Sequence, residues 1–171
     1  MKRDDMEARV LMGQIDAGIK VMEDILTHLD DFIGSKVHGR KRDRIAAIVV
    51  ADALSRYYTA AETVFVRIAR FFENSLGESR WHADLLQRMS IAIPGVRPAA
   101  ISRATMTSLS ELLRFRHFSR YYVELEYDWE RLSFLLMKLD AVRSALPSEL
   151  KAFRAQLGAT AKHAKGANGE R

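Results

Sequence analysis

The sequence predicts an all-α protein, an up-and-down bundle of about five or six helices. Apolar residues recur at spacings of three and four along most of the 171 residues, the period of a helix with one buried side. The strict apolar–polar alternation of a half-buried strand is absent. Only 9 glycines and 3 prolines punctuate the chain, so long uninterrupted elements are permitted.

The first helix is expected over residues 5–33. Leu11, Ile15, Gly18, Met22, Ile25, Leu29 and Phe32 line one face, Gly34 ends it, and Ser35 to Gly39 form a loop. A second long helix is expected over 41–75, with two adjacent stripes. One is Val50, Leu54, Tyr57, Ala61, Val64, Ile68 and Phe71; the other is Ile48, Ala51, Ser55, Tyr58, Glu62, Phe65, Ala69 and Phe72. Two stripes side by side mean a wide buried face with several neighbours. Gly77 closes this helix. Ser79 caps a short third helix over 80–91, with Trp81, Leu85 and Met89 on its apolar side, and Ile93-Pro94-Gly95-Val96-Arg97-Pro98 breaks it.

A fourth helix starts near Ser102. Its stripe is Met106, Leu109 and Leu113, and the same azimuth continues to Arg116 and Arg120. Asp128 is placed to cap a fifth helix whose apolar side holds Leu132, Leu135, Leu136, Leu139 and Val142. Pro147 suits the first turn of a last helix, 148–157. Residues 1–160 read as one domain and 161–171 as a polar, disordered tail.

Composition narrows the function. The chain has no cysteine, which excludes disulfides, thiolate metal sites and thiol catalysis and fits a reducing cytoplasm. The charged N-terminus has no signal-peptide core, and no apolar run reaches the roughly 20 residues that cross a bilayer. No His/carboxylate spacing fits a metal site, and no glycine-rich phosphate loop or nucleophile elbow is present, so no metal and no cofactor are expected. The net charge of +5 leans toward polyanions. It is concentrated in Arg40-Lys41-Arg42-Asp43-Arg44 and Lys162-His163-Ala164-Lys165, runs that equally suit a solvated surface.

Two residues break the apolar stripes. Arg116 continues a buried face, and a buried guanidinium needs a carboxylate or a phosphate. Glu62 interrupts the second helix's stripe and is a candidate partner for Arg116 or Arg120, or else sits at the stripe's wet edge.

The run Leu112-Leu113-Arg114-Phe115-Arg116-His117-Phe118-Ser119-Arg120-Tyr121-Tyr122 resembles the signature region of HepT-like proteins, within the HEPN group of helical ribonucleases. That signature is Arg, a polar residue, three variable residues, then His. Arg116 and His117 match its first two positions, and Tyr121 stands where the catalytic His belongs. The resemblance extends to Tyr57-Tyr58-Thr59-Ala60-Ala61-Glu62, Val66-Arg67-Ile68-Ala69, Trp81 to Met89, Arg97-Pro98 and Glu124 to Leu132, so that residues from about 45 to 140 are covered.

The resemblance implies a homodimeric helical bundle with two motif helices meeting across a cleft, and metal-independent endoribonuclease activity. It also implies a toxin's role beside a nucleotidyltransferase-type antitoxin. In some such pairs the antitoxin adds AMP to a tyrosine two residues after the motif His; Val123 occupies that position here. On this basis Arg116, His117 and Tyr121 are the catalytic candidates, Arg114, Arg120 and Tyr122 the RNA-binding candidates, and Glu62 a supporting acid. Phe115 and Phe118, with Tyr121 and Tyr122, are placed to pack a dimer or to stack on bases.

The missing histidine bears directly on activity. Metal-free RNA cleavage needs a base for the 2′-OH proton and an acid for the leaving oxygen, and imidazole serves both near neutral pH. Phenol, with an unperturbed pKa near 10, is a poor base there. Two readings follow: a weakened RNase toxin in which His117 or Tyr121 contributes, and a silent HEPN-type dimer that binds RNA or an antitoxin. A structural helical adaptor is a third reading outside the resemblance.

Overall fold

The computed structural model describes residues 3–37, 43–73, 81–121 and 127–166. They form six helices: α1 (Arg3–Val37), α2 (Arg44–Glu73), α3 (Trp81–Met89), α4 (Arg103–Tyr121), α5 (Trp129–Val142) and α6 (Ala145–Gly166). No strand occurs among the described residues; an isolated bridge pairs Ile93 with Arg97. The all-α bundle expected from the periodicity is therefore the observed architecture.

The doubled stripe of α2 explains the topology. This helix packs on α1, α3, α4 and α5, and Val50, Leu54, Tyr57, Tyr58, Ala61, Val64, Phe65 and Ile68 are all buried. α1 and α2 run antiparallel, since Gly18 lies against Val64 and Arg67 donates to the Gln14 carbonyl at 3.4 Å. α6 runs antiparallel along the other side of α1. Ion pairs Asp16–Arg154, Glu23–Lys151 and Asp30–Arg143 mark that seam; all are surface-exposed and contribute little each. Leu146, Leu150, Phe153 and Leu157 of α6 complete the core.

Several boundaries differ from those expected on periodicity. α1 continues through Gly34 to Val37, because one glycine costs a helix only about 1 kcal/mol. The expected loop's Ser35 is thus helical, while Gly39 and the basic run 40–42 lie outside the described residues, as do Gly77, Ser79 and residues 167–171. α2 begins at Arg44 rather than near 41, with the Ala46 N–H donating to the Asp43 carboxylate at 2.8 Å. α3 stops at Met89, where Ala100 and Ile101 donate to its carbonyl at 2.8 and 3.2 Å, and Gly95 takes φ 73° in the turn that follows. α6 starts at Ala145, with Pro147 in its first turn, where a missing N–H is harmless. It extends past Leu157 to Gly166, through alanines and lysines that favour helix, so the tail expected from 161 is helical as far as 166.

Two caps place the ends of α4 and α5. The Ser102 hydroxyl accepts from the Thr105 N–H at 3.2 Å, and Glu149 of α6 accepts from the Ser102 N–H and the Thr105 hydroxyl at 3.1 and 3.0 Å. Asp128 caps α5 as expected, accepting from the Glu130 N–H at 3.0 Å.

Gly18 is required by closeness rather than by backbone conformation. A Cβ there would collide with Val64 Cγ2, whereas one at Gly34 would meet nothing within 4 Å. Gly18→Ala is expected to destabilise the protein by about 1–3 kcal/mol. Gly34→Ala is expected to be neutral or stabilising by up to about 1 kcal/mol. Urea midpoints of the two variants check this; equal losses would contradict the tight α1–α2 crossing.

Candidate functional site

α4 places its two consecutive motif residues differently. Phe115 and Arg116 are buried and Arg114, His117 and Phe118 are exposed, as a 100° step per residue dictates. Arg114 pairs with Glu111 at 2.6 Å on the outer face. Ser119 is half-buried; its hydroxyl donates to the Arg116 carbonyl at 3.1 Å and lies 3.5 Å from that of Ser55 on α2. Arg120 and Tyr121 are the last backbone residues of α4, while their side chains, and Tyr122 altogether, lie outside the described residues. Residues 123–126 of the resemblance do so too.

Arg116 is the centre of the site. It is 9% exposed, and its Nη1 donates to the Glu62 carboxylate at 2.6 Å. Its guanidinium carbon stands 5.7 Å from the centre of the Tyr58 ring. Glu62 is itself 5% exposed, so it is a buried partner and not a residue at the wet edge of its stripe. Tyr58 lies one turn before Glu62 on the same face of α2 and feels the charge of both Glu62 and Arg116. Residues of α2 and α4 thus form one polar layer: Tyr58, Glu62, Arg116 and, at its margin, Ser55 with Ser119.

A second buried arginine sharpens what is unusual about the first. Arg97, 4% exposed, uses all three of its nitrogens. Nε and Nη2 donate to Glu73 at 3.0 and 2.8 Å, Nη1 donates to the Ile91 and Pro98 carbonyls at 3.0 and 3.2 Å, and Nη2 also reaches the Arg88 carbonyl at 2.9 Å. Arg88 adds a further ion pair to Glu73. The five N–H donors of a guanidinium are all consumed, which marks Arg97 as a structural clamp holding the 91–100 turn to the end of α2. Arg116 spends one bond on Glu62, and no other acceptor bonds it among the described residues. Its remaining donors suit an oxyanion.

The pairing of Glu62 with Arg116 is one of the alternatives that the broken stripes left open, beside Arg120 and the wet edge. The part played by Tyr58 and the Glu73–Arg97 clamp were not expected. A signal for Tyr58 does exist: its four-residue spacing from Glu62 puts both on one helix face. Nothing local joins Glu73 to Arg97, because the chain between them must fold back first. Among the described residues no cluster of His, Cys, Asp and Glu suits a metal ion. Nor is any helix there long and apolar enough to cross a membrane.

Burial pushes the Tyr58 hydroxyl well above the ordinary tyrosine range, and the negative Glu62 adds to this while Arg116 opposes it. Burial does the same to Tyr57, with Arg143 opposing. Both phenols keep their protons longer folded than unfolded. Their contribution is therefore intact below the unfolded value near 10 and is lost as pH rises above it. The urea midpoint should fall between pH 10 and 11, and fall less steeply in Tyr58→Phe. An equal slope in the variant would show that Tyr58 ionises as freely folded as unfolded.

Glu62→Ala should cost about 3–5 kcal/mol, because it strands a buried guanidinium. The double variant Glu62→Leu/Arg116→Met should recover most of that loss. A loss under about 1 kcal/mol for Glu62→Ala in urea unfolding would mean that the pair is not bonded in solution.

A family model described as HepT-like protein matches residues 49–157, a span that contains α3, α4 and α5, most of α2 and all of the polar layer. No curated protein and no solved structure gives a significant match to the chain.

Proposed function

This chain belongs to the HepT-like family of the HEPN superfamily, and from that premise we propose that it acts on RNA as a ribonuclease-type toxin component at a cleft formed by two copies of α4. The observation that carries the proposal is the bonding of Arg116, a buried guanidinium fixed by Glu62 whose further donors no described residue accepts. A phosphodiester in the cleft supplies the acceptors that the described residues do not.

In this reading, a base removes the 2′-OH proton and that oxygen attacks the adjacent phosphorus. The P–O5′ bond breaks, and the leaving oxygen takes a proton. The products are a 2′,3′-cyclic phosphate and a 5′-hydroxyl. Arg116 stabilises the charge that builds on the non-bridging oxygens, a role usually worth about 100- to 1,000-fold. His117, on the exposed face one step along the helix, is the imidazole available for proton transfer. On a regular helix Arg116 and Tyr121 differ by about 140° in azimuth, so the second copy of α4 is needed to gather these groups. Arg114 and Arg120 serve the phosphate backbone through charge, with Tyr122 beside them. A nucleotidyltransferase-type antitoxin is the proposed partner, and the cytoplasm the proposed location.

Tyr121 favours a second reading: an RNA-binding dimer with little or no cleavage, since deleting a general base typically costs on the order of 100- to 10,000-fold. One series of proteins separates the two. The proposal expects slow cleavage of single-stranded RNA without metal, loss of at least about 100-fold in Arg116→Ala, and a comparable gain in Tyr121→His. RNA binding with no cleavage in either the native protein or Tyr121→His would establish the silent reading. Neither binding nor cleavage, together with no growth arrest on induced expression, would overturn both.

A further inference from the structure

The outer seam between α1 and α2 is an apolar strip that no other described residue covers. Met6, Val10, Val21, Ile45 and Phe71 are five of the ten large apolar side chains exposed among the described residues, from 36 to 70%. Met6, Val10 and Phe71 line a groove of about 280 Å³ at one end. Val21 lines one of about 700 Å³ at the other, floored by Ile25, Val49, Ala53 and Ala60. Ile45 lies one turn before Val49 on the same face of α2. Ala53 and Ala60 are small, so a further helix can approach the backbone closely. Five such residues gathered along one seam are more than scattered surface apolars, and patches of that kind mark interaction sites.

The charges along the strip are sorted by end. Arg67 and Arg70 accompany Glu7 at the Phe71 end, while Asp24 and Asp52 accompany Arg56 and His28 at the other. Asp24 and Asp52 keep 49% and 63% of their side-chain surface exposed, and their ion pairs to Lys20 and Arg56 lie within their own helices. A two-fold axis through the middle of the strip reverses it end for end. It sets one copy's arginine end on the other copy's aspartate end, at both ends at once. That self-complementarity is what an isologous contact requires.

The dimensions agree. From Ile45 to Phe71 α2 rises about 39 Å, and two adjacent helices are about 20 Å wide. The product is about 800 Å², the share per partner of a standard stable interface.

We propose that the α1–α2 seam is an isologous interface for a second copy of this chain. It lies on the shoulder of α2 away from α4, so it is separate from the motif cleft. A chain using both faces assembles beyond a dimer, and the seam contact stands whether or not the protein cleaves RNA.

Charge exchange tests this by sedimentation equilibrium from about 1 to 100 µM at about 50 mM salt, where surface charges are weakly screened. Two variants are needed, Asp24→Arg/Asp52→Arg, with two basic ends, and Arg67→Glu/Arg70→Glu, with two acidic ends. Each alone should lose at least tenfold in self-association relative to the native chain, and an equimolar mixture should regain it as a heteromeric contact. Should the second variant fail to show a native helical melt, the first decides alone: its association should return at about 0.5 M salt, where its repulsion is screened. A native chain of single-chain mass throughout, variants that associate as the native chain does, or a mixture that regains nothing would each overturn the proposal.

Discussion

The bond between Arg116 and Glu62 ties the fold to the site. It crosses the α2–α4 interface in the buried layer of the bundle, and charges taken from water there must be paired or the two helices cannot close. Everything near it serves that closure. Tyr58 lends its ring to the guanidinium, and Ser55 meets Ser119 at the margin. A buried ion pair is weak evidence for stability, because a hydrophobic pair of similar volume often does as well. Its presence in an otherwise apolar interface therefore asks for another reason, and the proposed phosphate contact, through Arg116 donors that no described residue accepts, provides one. Arg97 shows how this chain builds a guanidinium with a purely structural role, since every donor is satisfied by a carboxylate and three carbonyls.

The rest of the bundle holds that layer still. α2 packs on α1, α3, α4 and α5, and its Phe72 ring meets Phe153 of α6, so the position of Glu62 is fixed from several sides. α4 is anchored at its start by Ser102, Thr105 and Glu149 and along its length by Leu109, Leu112, Leu113 and Phe115. Precision at Arg116 follows from packing far from it. The exposed neighbours His117 and Phe118 share the same helix, so whatever meets that surface meets it on a rigid support.

Much of this was legible in the sequence because helical period and burial are local properties. The doubled stripe of α2 foretold several neighbours. The arginine on an apolar azimuth, with a glutamate breaking another stripe, foretold the polar bond between α2 and α4. Asp128 marked a helix start through cap chemistry. What stayed hidden depends on chain return or on small energies. Glu73 and Arg97 are 24 residues apart in the chain and meet only in the folded protein. Gly34 looked like a terminator, yet the cost of one glycine is too small to end a 35-residue helix. Gly18 was read as one more stripe residue, when its lack of a side chain is what lets Val64 in. The lysines and alanines after Leu157 read as a tail because they carry no apolar period, although their intrinsic helix preference is high.

The most direct measurement of the Arg116–Glu62 bond and its spare donors is the guanidinium NMR spectrum of Arg116, recorded without and with a short RNA made uncleavable by 2′-O-methylation. Resolved, slowly rotating Nη resonances are expected in the unbound protein, because Glu62 holds one side of the fork. The remaining Nη and Nε signals are expected to shift on addition of the RNA. Averaged, solvent-like Nη signals would contradict the fixed pair, and a resolved spectrum indifferent to RNA would contradict the spare donors as a phosphate site.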